Sequence, residues 1–172
     1  MPYQKIDIQI LPNVDCTLPR PWLRRVVRRS LVAARVDHPC RVGLVIADED
    51  TVQSLNRDYR GLDEVTDVLS FSFRYSGHYE GEREPDWMSG GDLQFVIPEG
   101  EIETLGEVIL CYNRVVRQAN KQGHTTEKEL ALLVTHGVLH LVGHDHEKPS
   151  EARSMQLLEQ RALEDMSGRR II

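Results

Sequence analysis

The stretch Thr135–His146, THGVLHLVGHDH, decides how this chain is read. Four of the seven histidines in a sequence of 172 residues fall between His136 and His146. Three of them, His136, His140 and His146, stand at H-x-x-x-H-x-x-G-x-x-H, with Gly143 in the glycine slot. Residues four apart on a helix share a face, with Cβ atoms about 6 Å apart, so His136 and His140 can reach one ion from consecutive turns. A third ligand must return to the same side, which requires the helix to stop. Gly143 supplies the stop, because glycine takes the left-handed conformation without steric cost. His146 then follows at the distance a tight turn needs. Three neutral imidazoles with an open fourth position suit catalytic zinc, whereas structural zinc closes with four protein ligands. One Zn2+ is therefore expected at His136, His140 and His146. Without a metal these would be capped or surface histidines, but the pair, the glycine and the third histidine together are specific.

The spacing matches the long zinc-protease signature except at Gly137, where a glutamate is expected. Zinc alone lowers the pKa of bound water to about 7, so a nucleophile exists without a dedicated base. Peptide hydrolysis also needs a proton for its amine leaving group, and the missing glutamate is the group that shuttles it. A phosphodiester needs positive charge around the developing phosphorane, which a metal and an arginine can supply. Gly137 thus tilts the reading from amide towards phosphoryl chemistry. Nearby, His144 reads as a solvent-exposed neighbour in preference to a substrate contact or a competing ligand, and Asp145 as a turn residue or the orienter of a ligand imidazole in preference to a base. His38, His78 and His124 stand alone and read as ordinary loop or surface residues.

Outward from the motif, Thr126 and Glu129 suggest a capping box for a helix reaching about Val142. Leu130, Leu132, Leu133, Val134, Val138, Leu139 and Leu141 surround its axis, as in a buried central helix. Upstream, IDIQIL (Ile6–Leu11), RVGLVIA (Arg41–Ala47) and VLSFSF (Val68–Phe73) read as strands, and EVILCY (Glu107–Tyr112) as a strand running into a helix that ends near Gly123. Pro19–Val36 reads as a helix with Trp22 on its apolar side. Asp48 caps a short helix to about Tyr59, and Ser150 caps a last one to about Met166. Strands mixed with helices argue for one α/β or α+β domain over residues 1–172.

Composition is that of a soluble globular protein, at 40% apolar and 28% charged. The N-terminus lacks an apolar signal core, and no apolar run approaches the ~20 residues of a membrane span. Cys16, Cys40 and Cys111 are far apart and odd in number, which argues for reduced thiols in a cytoplasm. The net charge of −6 is concentrated in Ser76–Thr104, which carries eight acidic residues against Arg83 alone. That segment, 76–104, reads as an acidic insertion, either a solvent-exposed hairpin or a gate or docking surface, in which DLQFVIP (Asp92–Pro98) forms an extra strand or a hairpin arm and Trp87 sits. The remainder is near neutral, so the acidity does not exclude an anionic substrate elsewhere. Arg20, Arg24, Arg25, Arg28, Arg29 and Arg35 cluster on or beside the first helix, where Arg24, Arg28 and Arg35 can share a stripe that suits either phosphate contacts or solvent. No aromatic-rich motif for stacking bases is legible.

Three blocks, in order, resemble the bacterial YbeY family of rRNA maturation endoribonucleases. ELALLVTHGVLHLVGHDHE (Glu129–Glu147) resembles its histidine signature. LNRDYRGLDEVTDVLSF (Leu55–Phe71) resembles the family's L-N-x-x-Y-R-x-x-D-x-x-T-D/N-V-L-S-F, and LGEVILC (Leu105–Cys111) its L-G-D-I-x-I-C/S, with Glu107 in place of the usual aspartate. The resemblance implies a compact α+β fold, a small mixed sheet packed around helices and zinc on His136, His140 and His146 in a cleft. It also implies a functional role for Arg60 in binding the scissile phosphate, where spacing alone favours an ion pair with Asp58 or Asp63. The implied activity is metal-dependent cutting of single-stranded RNA in 16S rRNA 3′-end maturation and ribosome quality control. The expected partners are an rRNA precursor and the ribosome or its small subunit, in the cytoplasm, with no membrane and no DNA. Two rivals remain: a zinc peptidase with a base elsewhere, such as Glu107 or Asp145, and a non-catalytic ribosome-assembly factor whose metal is structural.

Overall fold

A computed structural model describes residues 1–75 and 100–167. In chain order the elements are β1 (Gln4–Ile10), α1 (Arg20–Ala33), β2 (Cys40–Ala47), α2 (Glu49–Arg60), β3 (Val68–Ser72), β4 (Glu103–Cys111), α3 (Tyr112–Gln122), α4 (Thr126–Leu141) and α5 (Pro149–Ser167). The strands form one mixed sheet in the order β1-β2-β4-β3. β1, β2 and β4 run parallel, and β3 pairs antiparallel to β4 at the edge. The fold is α+β, as expected. No helix among the described residues is long and apolar enough to cross a membrane.

Successive side chains on a strand point to opposite faces, and here each face is buried by a different set of residues. Ile6, Ile8, Val42, Leu44, Ile46, Val108 and Leu110 face α1 and α4 in the larger core. Ala47, Leu69, Ile109 and Cys111 meet Val52 of α2 in a smaller core on the other face. α4 lies deep in the larger core: Leu130, Ala131, Leu133, Val134, Val138, Leu139 and Leu141 are all buried. The all-round apolar pattern of this helix therefore reports what it is, the element around which the others pack.

A buried polar pair joins α4 to α1. The Ser30 hydroxyl lies 3.0 Å from Thr135 Oγ1 and 2.9 Å from the Val26 carbonyl, and Thr135 Oγ1 donates to the Ala131 carbonyl at 2.8 Å. Both residues are fully buried, so their hydroxyls have no recourse to water. Thr135 directly precedes His136, which makes this pair the inner anchor of the histidine turn.

Helix ends differ from the sequence reading in three places. Thr125, not Thr126, caps α4, accepting from the Lys128 amide at 3.2 Å. The shift moves Glu129 one place further in, so it turns inward to the His124 ring instead of closing a capping box. Arg35 lies beyond the end of α1 with φ 58°, so Arg24, Arg28 and Arg35 share no helical stripe. Arg24 itself donates to the Ile6 carbonyl at 3.2 Å. Ser150 falls inside α5, whose first residue is Pro149. His38, expected to stand alone, pairs with Glu103 at 3.0 Å. Asp48 caps α2 as expected, accepting from the Thr51 amide at 2.8 Å. His78, Trp87, the DLQFVIP arm and most of the acidic insertion lie outside the described residues.

Thr135→Val should lower unfolding free energy by about 1 kcal/mol, the usual net worth of one hydrogen bond. Combined with Ser30→Ala it should cost less than the two single changes added, because both hydroxyls then leave together. Denaturant titration of the four proteins checks this, and simple additivity would show that the pair is not coupled.

Candidate metal centre

His136 and His140 occupy consecutive turns at the C-terminal end of α4, and their Nε2 atoms approach to 3.1 Å. The helix then closes on itself: the Gly143 amide bonds the His140 carbonyl at 3.1 Å and the His144 amide bonds the Leu139 carbonyl at 3.0 Å. Gly143 sits at φ 92°, a conformation that strains any residue with a Cβ. The turn brings the His146 ring back over His136, with centroids 5.5 Å apart and planes at 26°, and to 5.2 Å from His140. One ligand atom from each of the three rings lies within 4.8 Å of the other two, the one such group among the described residues. Nitrogens on a tetrahedral zinc at about 2.05 Å lie roughly 3.3 Å apart, close to the observed His136–His140 separation. The donor set fits the ion.

Two features prepare these rings for a cation. Glu159 on α5 holds His136 Nδ1 at 2.7 Å, which leaves Nε2 aimed at the other two rings. Burial, reinforced by the neighbouring His136 and His146, lowers the His140 pKa to about 4 against the opposing pull of Asp145 and a hydrogen bond to the His144 backbone. His140 is therefore neutral at pH 7, with a lone pair ready to donate. The sequence reading missed Glu159. Its spacing from Met155 and Ala162, both buried, places it on the inner face of an amphipathic helix, a signal that marked the face but not the partner. His136, His146, Ala152, Met155, Gln156 and Glu159 line a cleft of about 240 Å³ beside the rings.

The other residues singled out fall in different places. Asp145 is a turn residue, accepting from the His146 amide at 2.7 Å. His144 is half-buried and outside the ligand group. Glu107 pairs in register with Phe71 and Gly43, so alternation along β4 turns it to the α2 face, away from the histidines. Gly137 faces the sheet. A Cβ there would lie 2.6 Å from Val108 Cγ1 and 3.1 Å from Ser70 Oγ. The position that carries glutamate in the protease signature is thus a contact point between helix and sheet, with no room for a side chain. Arg60 is the half-buried last residue of α2, the helix on the far face of the sheet, and is not among the residues lining the cleft.

Comparison with known proteins fits this architecture. The profile of the family described as Endoribonuclease YbeY matches residues 12–167, a span that includes the three histidines, Arg60 and Glu159. The chain belongs to the YbeY family. A relative named Endoribonuclease YbeY from a Roseiflexus species is 37% identical over 159 residues, covering 92% of this chain and 90% of its own. The Endoribonuclease YbeY of Symbiobacterium thermophilum is 42% identical over 141 residues, covering 80% and 81%. A solution structure from Thermotoga maritima shares the fold at TM-score 0.56 and 22% identity, covering 95% of this chain and 92% of that one. The likeness to YbeY relatives therefore spans nearly the whole chain and is not confined to the histidine motif.

Three outcomes follow from this geometry. Gly137→Ala should destabilise the protein by about 1–3 kcal/mol, the range for overpacking a close contact, as read by thermal unfolding. Glu159→Gln should weaken metal affinity roughly 10- to 100-fold in a chelator competition, with the fold intact. Unfolded His140 binds its proton near pH 6.5 but the folded residue only near pH 4, so acid favours the unfolded chain. The metal-free protein should accordingly lose stability as pH falls through that window, and His140→Gln should flatten the decline.

Proposed function

We propose that this chain is a zinc-dependent endoribonuclease that cuts single-stranded RNA during maturation of the 16S rRNA 3′ end, acting on the precursor or the small ribosomal subunit in the cytoplasm. The observation that carries the reading is the set of three imidazoles converging at the end of α4, with one already neutral and one already aimed. Endoribonuclease is the activity class of the family, and a zinc ion bound here would supply a Lewis acid that brings the pKa of water to about 7. His136, His140 and His146 would hold that ion, and Glu159 would keep His136 in the binding tautomer. The cleft between α4 and α5 leaves room beside the rings for a phosphodiester.

Arg60 is proposed to bind the scissile phosphate and stabilise its charge, since a guanidinium offers paired donors to two phosphate oxygens. Support comes from its place in the Leu55–Phe71 block and from its position at a helix end beside the loop leading to the edge strand. A peptidase reading is weakened on three counts: Gly137 is packed against the sheet, Glu107 points away and the Asp145 carboxylate is engaged by the turn. A purely structural metal is disfavoured because the histidines close the end of a helix whose core contacts already stand without them.

The experiment is cleavage of a single-stranded RNA bearing a pre-rRNA 3′ end by wild type, His140→Ala and Arg60→Ala, each with and without chelator. His140→Ala and chelation should abolish cutting, and Arg60→Ala should slow it roughly 100-fold, the effect of losing one charge-stabilising donor. Circular dichroism should show the chelated protein still folded. Cutting that survives His140→Ala, or a wild type that binds this RNA without cutting it, overturns the reading.

A further inference from the structure

Immediately beside the histidine turn stands an aromatic ring that the metal reading leaves unused. A Cβ placed on Gly143 would lie 2.7, 2.9 and 3.0 Å from Cζ, Cε1 and Cε2 of Tyr75. Three ring carbons nearly equidistant from one point mean that Gly143 sits against the face of the ring and not its edge. Tyr75 nonetheless remains 45% exposed, so the contact with the glycine leaves part of the residue open. Its backbone is fixed. The Ser72 hydroxyl accepts from the Arg74 and Tyr75 amides at 3.2 and 3.1 Å and donates to the Leu141 carbonyl at 3.0 Å. The side chain of Arg74 is in turn held by Glu103 at 2.7 Å. One hydroxyl thus ties the ring's backbone to the end of α4, within the turn that separates His140 from His146.

We infer that Tyr75 is a stacking platform for a nucleobase of single-stranded RNA, adjacent to the phosphodiester presented to the histidine site. The inference rests on the nuclease reading and adds a residue that binds substrate. Single-stranded nucleic acid is held by a charged track and by aromatic faces on which bases lie, and every base offers a π-face, so such a platform is indifferent to sequence. A tyrosine backed by glycine and fixed at its backbone loses little freedom on taking a base, which is the property a platform needs. The same glycine that lets the chain turn back towards the metal also lets the ring lie flat against it.

The test is a cycle between protein and substrate. Cutting is measured for wild type, Tyr75→Phe and Tyr75→Ala on one single-stranded RNA, and on the same RNA made abasic at each nucleotide flanking the cut. Tyr75→Phe should behave as wild type. Tyr75→Ala should raise KM roughly 5- to 100-fold, as expected for one lost base–aromatic stack, with kcat and zinc affinity unchanged. At one flanking position, the abasic RNA should cost wild type the same factor, and Tyr75→Ala should lose nothing more on it. Equal losses on intact and abasic RNA at both positions, or weakened zinc binding in Tyr75→Ala, would overturn the inference and make the ring a mere support for the turn. If wild type cuts no single-stranded RNA, the nuclease reading fails, and 2-aminopurine RNA then decides the stacking alone. Fluorescence quenched by wild type but not by Tyr75→Ala supports it, and no quenching by wild type sinks it.

Discussion

Everything in this molecule depends on how closely α4 approaches the sheet at Gly137. A single added carbon would collide with Val108, so helix and sheet meet there backbone to side chain. That approach brings the outward carbonyls of the helix within reach of the edge strand: Ser70 Oγ donates to the Gly137 carbonyl at 3.2 Å and Ser72 Oγ to the Leu141 carbonyl at 3.0 Å. Helix ends leave their last carbonyls without intrahelical partners, and here a strand hydroxyl meets one of them. With the sheet on one side and Ser30 of α1 on another, the last turns of α4 have little freedom, and His136 and His140 inherit that rigidity. Precision in a metal site comes from elements that cannot move, and this candidate site is built at the best-anchored end of the most buried helix.

The same contact reframes what the glycine at the protease glutamate position means. Chemically it removes a proton shuttle. Sterically it is a requirement of the fold, because the face that would carry that carboxylate is the face that packs on β3 and β4. The carboxylate that serves this site comes instead from another helix, and it approaches a different atom: Glu159 binds His136 Nδ1 and leaves Nε2 turned towards the other two rings. A supporting carboxylate stands in place of a reacting one, which suits a reaction whose leaving group is an alkoxide, far less basic than the amide anion that an unassisted peptide cleavage would expel.

What the sequence made legible was local. The i, i+4 histidine pair, the glycine stop and the apolar girdle of α4 are periodic features, and periodicity survives in one dimension. The strands β1, β2 and β3 were readable from alternation, whereas β4 begins at Glu103, earlier than its apolar run suggests, because its first residues gain their place from pairing with β2 and not from their own character. Glu159 and Tyr75 were invisible because their partners lie 23 residues and more than sixty residues away in the chain. Thr125 was missed in favour of its neighbour because two adjacent threonines offer equivalent caps to a sequence, and Glu129, which suggested a capping box with Thr126, meets His124 instead.

Glu159 also places the site in time. Sheet, α1 and α4 all precede α5 in the chain, so during synthesis the scaffold and all three imidazoles emerge before the carboxylate that orients the first of them. Until α5 docks, His136 is free to choose either tautomer and the cleft has only one wall. A chain cut short before α5 would therefore carry all three histidines without the carboxylate that orients the first of them.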